Sequence, residues 1–481
     1  MLGSVKSNIG HTLAAAGLAG VIKMVQAMRY GLLPKTLHAD VPTRHVDWET
    51  GAVSLVTEPT PWPEHDDRPR RSAVSSFAIS GTNAHVILES VPSSAPEPTQ
   101  LDGPVPWVLS GKTEQAVRDQ AVRLAEHVQA HPELSPADVG YALATTRTRF
   151  PYRATVAGTT RDELLAQLQA LPQPTVATPG KTAFLFTGQG SQQSGMGADL
   201  YRTQPIFAEA LDEVCATLDA HLERPLKDVM FSGGDTLNDT RYTQPAIFAF
   251  QIALHRLLTH HGITADYYAG HSLGEITAAH LAGVLNLHDA ARMVTTRAAL
   301  MASLPPDGAM TAVAITEQEL QPYLTPDVSI AAVNTATSLV ISGHKDAVQT
   351  LTATLAEAGY KTRALKVQNG FHSTQMVPIA DQLTQALDDF DYQPPTIPVI
   401  CNLTGDLATG QELQSSEYWT QHLLQPVRFA DTLTTLQGLG VTTYLELGPD
   451  ATLTPSPPAR PATPSPPAPT ARPKPPPWPP H

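Results

Sequence analysis

Near its middle the chain reads Tyr267-Tyr268-Ala269-Gly270-His271-Ser272-Leu273-Gly274-Glu275-Ile276-Thr277-Ala278-Ala279. Short apolar residues enter a Gly-x-Ser-x-Gly pentapeptide, and an alanine-rich run typical of a helix follows at once. This pattern predicts a nucleophile elbow, because its two glycines lack the Cβ atoms that would clash in a sharp strand-to-helix turn. Ser272 would lie at the tip, where the helix N-terminus stabilises negative charge and the N–H of Leu273 can hold an oxyanion. The five letters alone fit a plain strand–turn–helix junction equally well.

Length and composition exclude several classes of protein. The chain has 481 residues, 42% of them hydrophobic and 16% charged, which predicts about three globular domains. The sequence contains neither an apolar run of membrane-spanning length nor a signal-peptide pattern. Cys215 and Cys401 are far apart and show no metal-ligand spacing, so we expect free thiols in a reducing cytoplasm. The net charge of −14 argues against general nucleic-acid binding but allows small anionic substrates.

Residues 1–90 contain two recognisable motifs. The first is Lys6-Ser7-Asn8-Ile9-Gly10-His11, and an apolar run over 13–28 that is typical of a buried helix follows it. The second, Ser75-Ser76-Phe77-Ala78-Ile79-Ser80-Gly81-Thr82-Asn83-Ala84-His85, leads into a short strand. These motifs resemble the C-terminal end of the β-ketoacyl synthase domain of modular type I polyketide synthases, a part of a thiolase-like fold.

That resemblance implies that Lys6 and His11 belong to a condensing site. The family's catalytic cysteine and second active-site histidine lie upstream of these motifs. We therefore expect no condensation by this segment, and we expect the apolar helix over 13–28 to expose hydrophobic surface and to lower solubility.

Residues 91–179 begin with a Pro/Ser-rich connector at 91–100. A short strand at 107–110 and an amphipathic helix from Thr113 to His131 predict a small α/β domain. It resembles the linker domain between synthase and acyltransferase, and it shows no residues arranged for chemistry.

Residues 180–454 begin with an apolar strand that enters Gly188-Gln189-Gly190, the pattern of a buried parallel strand that delivers a turn to the sheet edge. Together with the elbow about eighty residues later, this resembles the malonyl-CoA:acyl carrier protein transacylase family. Three more segments agree in order: Arg241 to Phe248, a helix over 287–304 that carries Arg297, and Asn369 to Ser373. The resemblance implies an α/β fold with a hydrolase-like parallel-sheet core.

Two further segments complete the domain plan. Residues 309–368 show the order strand, helix, strand, strand, helix, strand, which predicts an inserted ferredoxin-like subdomain. Residues 455–481 contain 14 prolines in 27 residues and predict a disordered tail. Because family members continue here into another helix, we expect that this tail reflects a shifted reading frame.

The resemblance assigns the catalytic roles. Ser272 is the nucleophile, His372 is its base, and the N–H groups of Leu273 and Gln189 form the oxyanion hole. A backbone carbonyl orients the base in this family, and His422 occupies the matching position.

The resemblance also assigns substrate recognition. Arg297 would bind the free carboxylate of malonate as a bidentate pair. Phe371 before the base, with Gln244, favours malonyl over methylmalonyl. The implied substrates are malonyl-CoA and the phosphopantetheine thiol of an acyl carrier protein, with other polyketide synthase subunits as further partners. We expect no metal, no tightly bound cofactor, and no nucleic-acid or membrane partner.

Two alternatives stay open. A serine hydrolase or thioesterase would share the elbow, although Arg297 and the lack of a clear acidic residue followed by histidine after the elbow argue against it. A non-catalytic, truncated synthase remnant is the other.

Overall fold

The computed structural model describes residues 1–453 except 64, 66, 67, 79, 80, 92–102 and 410. Nearly all of the predicted connector and the whole proline-rich tail therefore lie outside the described residues. The chain divides into two compact units, 1–100 and 101–481. Within the described ranges, no helix has the length and apolar character needed to cross a membrane.

In the described residues the α-helices are α1 (Lys6–Ile9), α2 (Ala16–Tyr30), α3 (Glu114–Ala130), α4 (Pro136–Thr146), α5 (Arg161–Gln169), α6 (Ala198–Thr203), α7 (Pro205–Asp219), α8 (Leu226–Ser232), α9 (Thr240–His260), α10 (Leu273–Leu281), α11 (Leu287–Ser303), α12 (Glu317–Leu320), α13 (Lys345–Glu357), α14 (Val377–Leu387), α15 (Ser416–Leu424) and α16 (Phe429–Gly438). The strands are β1 (Leu32–Leu33), β2 (Thr60–Pro61), β3 (Arg71–Phe77), β4 (Asn83–Glu89), β5 (Val105–Gly111), β6 (Tyr152–Gly158), β7 (Thr175–Val176), β8 (Lys181–Phe186), β9 (Tyr267–Gly270), β10 (Gly308–Val313), β11 (Val328–Thr335), β12 (Ser338–His344), β13 (Thr362–Ala364), β14 (Val399–Ile400) and β15 (Val441–Leu447).

The first unit pairs β3 with β4 as an antiparallel hairpin, next to the apolar helix α2. Only Ala27 and Met28 of α2 are buried, although such an apolar run is typical of a buried helix. Leu18 is 68% exposed, Ile22 is 63% exposed, and Leu13 just before the helix is 80% exposed. The predicted exposure of apolar surface is therefore confirmed, and the lowered solubility stays a prediction.

The second unit begins with a three-stranded antiparallel sheet in the order β5–β6–β7. Helices α3, α4 and α5 pack against it and bury Trp107, Val117 and Leu164 completely. The α3 helix starts where the Thr113 side chain accepts a hydrogen bond from the N–H of Ala116, the usual N-cap arrangement.

A parallel sheet in the order β14–β9–β8–β15 forms the body of the second unit. All four residues of β9 are buried, as expected for parallel strands covered by helices on both faces. The register pairs Phe186 with Gly270 and Ala269 with Ile400, so β8, β9 and β14 end at one edge. The loops that leave this edge carry Gln189, Ser272 and Asn402, which is where open α/β sheets bind ligands.

A second, antiparallel sheet forms in the order β11–β12–β10–β13, with α13 packed against it. Its strands and helices follow the strand–helix–strand–strand–helix–strand order that the sequence predicts for a ferredoxin-like insertion. The predicted α/β class with a parallel core sheet is confirmed.

Candidate active site

The elbow joins β9 to α10 in a turn that leaves no room for a Cβ atom at positions 270 and 274. A Cβ on Gly270 would lie 2.0 Å from the nitrogen of Glu275, and one on Gly274 would lie 2.1 Å from the carbonyl oxygen of Phe186. Ser272 itself has φ 52° and ψ −112°, which is a strained conformation for a residue with a side chain. The backbone therefore presents the Ser272 hydroxyl at the N-terminus of α10.

The predicted nucleophile and the predicted base, Ser272 and His372, meet across one hundred residues of sequence. Ser272 Oγ lies 2.7 Å from His372 Nε2, and His372 Nδ1 lies 3.0 Å from the carbonyl oxygen of Gln425. Because a carbonyl only accepts, Nδ1 carries the proton and Nε2 is free to accept the serine O–H. This arrangement suits general-base activation of the serine.

The carbonyl that orients the base comes from Gln425, so the assignment of this role to His422 is wrong. Helix α15 ends at Leu424, and Gln425 continues in an extended conformation (φ −92°, ψ 160°). A carbonyl just beyond a helix end has no partner in the helix and is free to accept another donor. The side chain of His422 instead lies in the interior and contacts Glu275.

His372 is held as a neutral imidazole. Burial lowers its pKa well below the ordinary value, the positive charge of Arg297 lowers it further, and the hydrogen bond to Gln425 opposes the shift. The side chain is therefore unprotonated, and available as a base, at neutral pH.

Arg297 lies beside the nucleophile on α11 and is only 3% exposed. It donates from Nη1 to Gln244 Oε1 at 2.7 Å and from Nη2 to Ser272 Oγ at 3.1 Å. No carboxylate among the described residues forms an ion pair with it, and burial lowers its pKa to about 10. A buried cation without a counter-ion favours an anionic ligand group, since burial of an unpaired charge is costly.

The two residues proposed for the oxyanion hole lie in the same pocket. Leu273 is the first residue of α10, and Gln189 follows β8 at the neighbouring sheet edge. The Gln189 side chain accepts from Gln244 Nε2 at 3.3 Å and donates to Thr240 Oγ1 at 3.3 Å, which fixes the loop. The role of the two N–H groups stays a prediction.

A cavity of about 120 Å³ opens onto the dyad. Phe371 is buried at its wall, directly before the base. The other lining residues are Gln189, Gln244, His271, Ser272, Leu273, Arg297, Met301, Met310, Ala331, Ala332, Val340, Leu365, Val367 and His372. The small volume suits a short acyl group with one charged end.

Sequence reasoning missed a buried polar network behind the dyad. Asn402 accepts the N–H of Ser272 through Oδ1 at 2.8 Å and donates its own backbone N–H to the Glu275 carboxylate. Glu275 also accepts the hydroxyl of Tyr418. One feature of the sequence could have indicated this network, because Glu275 is the single charged residue in the alanine-rich run after the elbow.

Lys6 and His11 belong to the first unit, whereas the residues of this site belong to the second. Both side chains are exposed, Lys6 in α1 and His11 in the turn that follows, where its Nδ1 accepts the N–H of Leu13 at 3.0 Å. Their assignment to a condensing site stays a prediction.

Comparison with known proteins identifies three family segments. Residues 183–457 match the acyl transferase domain, residues 42–156 the ketoacyl-synthetase C-terminal extension, and residues 1–40 the β-ketoacyl synthase C-terminal domain. The boundary predicted between residues 90 and 91 falls inside the second match and stays a prediction.

Individual relatives agree with the family matches. The chain is 48% identical to the spectinabilin polyketide synthase system protein NorB of Streptomyces orinoci over 94% of this chain, but spans only 22% of that protein. The acyltransferase domain of the second salinomycin polyketide synthase module superposes with a TM-score of 0.59 at 41% identity, covering 73% of this chain and 84% of that one.

A third neighbour is the malonyl CoA-acyl carrier protein transacylase of Clostridium perfringens, with 27% identity and a TM-score of 0.53 over 57% of this chain and 88% of that one. These matches agree with the α/β fold and its parallel sheet. The chain therefore belongs to the acyl transferase domain family, and C-terminal β-ketoacyl synthase segments of the polyketide synthase type precede that domain.

Proposed function

We propose that the chain transfers a malonyl group from coenzyme A to the phosphopantetheine thiol of an acyl carrier protein through an acyl ester on Ser272. The buried, uncompensated guanidinium of Arg297 beside the nucleophile is the observation that carries this proposal. The neighbour from Clostridium perfringens, a malonyl CoA-acyl carrier protein transacylase, supports the substrate class.

The first half-reaction loads the serine. His372 Nε2 takes the hydroxyl proton while Ser272 Oγ attacks the thioester carbonyl, and the oxyanion is stabilised by the N–H groups of Leu273 and Gln189. Collapse of the tetrahedral intermediate breaks the carbon–sulfur bond, and the coenzyme A thiolate takes the proton from Nε2.

The second half-reaction transfers the malonyl group from Ser272 to the carrier thiol. Nε2 accepts the proton of the carrier thiol, and the thiolate attacks the serine ester. Collapse then returns the proton from Nε2 to Ser272 Oγ and leaves a malonyl thioester on the carrier. The hydrogen bond from His372 Nδ1 to Gln425 keeps the same tautomer ready in both halves.

Arg297 supplies recognition of the extender unit. A planar guanidinium can bind the free malonate carboxylate with two parallel hydrogen bonds, and such charged bonds contribute about 1.5–3 kcal/mol each. Gln244 accepts one Arg297 N–H and so fixes the guanidinium plane in the cavity. An acetyl group would leave this cation unpaired, so we expect selection against it.

Phe371 supplies selection against larger extenders. Its ring is buried in the cavity wall next to the base, where an α-methyl group would need room. One methyl group in an apolar pocket changes selectivity by about 10- to 200-fold, so the preference for malonyl is expected to be strong but incomplete.

The decisive experiment mixes the purified chain with malonyl-CoA, with and without a phosphopantetheinylated carrier protein, and measures both proteins by intact mass spectrometry. We expect malonyl-Ser272 without carrier and malonyl-carrier when it is added, with Ser272→Ala as the inactive control. Release of free malonate at the same rate with and without carrier would instead indicate a serine hydrolase. A folded chain that never forms the acyl-serine would overturn the proposal and favour a non-catalytic remnant.

A further inference from the structure

We infer that Glu275 is a positioning residue. It connects the residue that holds the Ser272 backbone, Asn402, to the helix that precedes the carbonyl bonded to His372, α15. The inference rests on the proposed function only in taking Ser272 and His372 as the reacting pair. It is carried by the contacts of one buried carboxylate.

Glu275 is completely buried, and no other Asp or Glu side chain is buried in the described part of the chain. An ionised carboxylate in the interior is costly unless donors surround it. Two donors do so, the Asn402 N–H at 3.1 and 3.2 Å from the two carboxylate oxygens and the Tyr418 hydroxyl, and His422 Nε2 lies 3.2 Å from the carboxylate. The His422 contact is at ion-pair distance but too far off line for a hydrogen bond.

The first connection runs from Glu275 to the nucleophile through Asn402. The Asn402 side chain accepts the Ser272 N–H at 2.8 Å and donates to the Gly270 carbonyl at 2.7 Å, so it bridges both sides of the elbow. Because the Asn402 backbone N–H is bound to Glu275, the carboxylate fixes the residue that holds the elbow.

The second connection runs from Glu275 to the base through α15. Tyr418 and His422 are four residues apart on this helix, share one face, and both meet Glu275. The chain just after the same helix supplies the Gln425 carbonyl that accepts from His372 at 3.0 Å. The His422 ring also lies edge-to-face with the His372 ring at 6.0 Å. A shift of α15 would therefore move both contacts of the base.

The two connections meet at Glu275, three residues after the nucleophile. The reacting contact between Ser272 Oγ and His372 Nε2 is set by elements far apart in sequence, and the carboxylate ties them together. A misplacement of about 1 Å can reduce catalysis about 100-fold. Loss of a Glu275 contact should therefore slow the chemical step without weakening the binding of malonyl-CoA.

The test compares Tyr418→Phe and Glu275→Gln with Thr420→Val as the matched control. Thr420 lies on the same helix and its buried hydroxyl meets Thr384, away from Glu275. Measured are kcat and KM for malonyl transfer, the rate at which a fluorophosphonate labels Ser272, and the melting temperature. We expect Tyr418→Phe and Glu275→Gln to lower kcat and the labelling rate by about 10- to 100-fold with KM within about threefold. Thr420→Val should leave kcat, KM and the labelling rate near wild type.

Equal kcat and labelling rates for Tyr418→Phe and Thr420→Val would overturn the inference, as would a raised KM at unchanged kcat. Tyr418→Phe decides alone if Glu275→Gln does not fold. A wild-type chain that is labelled but transfers no malonyl would refute the proposed function, while its labelling rates still test Glu275. A folded wild-type chain that is never labelled would overturn both.

Discussion

Ser272 and His372, whose side chains meet at 2.7 Å, are both held at a positive φ, of 52° and 55°. Among the described residues only Leu13 and His38 share this conformation without being glycine. Side chains disfavour this region by roughly 1–3 kcal/mol, and such strain persists where the surrounding structure fixes the backbone. The backbone conformations of Ser272 and His372 therefore lower the stability of the fold.

This strain predicts an unusual order of stability for two inactive variants. The free energy of unfolding of Ser272→Gly should be about 1 kcal/mol higher than that of Ser272→Ala, because glycine adopts positive φ without a clash. Urea unfolding of both variants measures the difference. An alanine variant as stable as the glycine variant would show that the elbow is not strained.

Gly274 should not tolerate a side chain. In Gly274→Ala the new Cβ would meet the Phe186 carbonyl at 2.1 Å, and we expect the free energy of unfolding to fall by about 3 kcal/mol, measured by thermal or urea unfolding. Gly438→Ala is the matched control, since a Cβ added there would meet no atom within 4 Å beyond its chain neighbours and its own helix backbone. Alanine is also more favourable than glycine in a helix by about 0.5–1 kcal/mol. Similar losses for both variants would contradict the packing argument.

Arg297→Ala should lower malonyl loading of Ser272 by about 10- to 100-fold and acetyl loading far less, because only malonate carries a carboxylate for the guanidinium. Initial loading rates with malonyl-CoA and acetyl-CoA measure the ratio. Arg292→Ala on the same helix, whose partner is the exposed Asp389 at 3.0 Å, should leave the ratio unchanged. Equal losses on both substrates would remove the assigned role.

The pH dependence of serine labelling should reflect the buried base. Since the pKa of His372 lies well below its ordinary value near 6.5, labelling should stay constant from pH 8 through 6.5 and fall only in more acidic buffer. Arg297→Ala removes a nearby positive charge that disfavours the imidazolium, so its acid limb should move to higher pH. A limb that stays in place, or moves to lower pH, would contradict this electrostatic account.

Phe371→Ala should enlarge the cavity next to the base. We expect methylmalonyl loading to rise about 10-fold or more relative to malonyl loading, because one methyl group in such a pocket is worth about 1–3 kcal/mol. Competition between the two thioesters, read by mass spectrometry of the acyl-serine, measures the shift. An unchanged ratio would mean that Phe371 does not limit the size of the extender.

The parts of the site that depend on local pattern could be predicted from sequence. The glycines at 270 and 274, the helix after Ser272 and the order of strands over 309–368 each follow from short-range geometry. Family resemblance supplied the distant partner, His372. The sequence does not predict which backbone carbonyl bonds to His372, as the wrong assignment of His422 shows. The residue at which α15 ends decides which carbonyl is free.

The buried network illustrates a second limit. The spacing of Glu275, Asn402 and Tyr418 does not indicate that they meet, because they come from three segments that are far apart in the sequence. Likewise, the apolar run over 13–28 does not by itself indicate that side chains of α2 are exposed.

The antiparallel subdomain contributes Met310, Ala331, Ala332 and Val340 to the cavity, whereas Ser272 and Arg297 come from the parallel-sheet body. Part of the cavity wall and the groups around Ser272 are thus encoded in separate stretches of the gene. Exchanging residues 308–364 between homologues would change that part of the wall and leave Ser272, Arg297 and His372 in place.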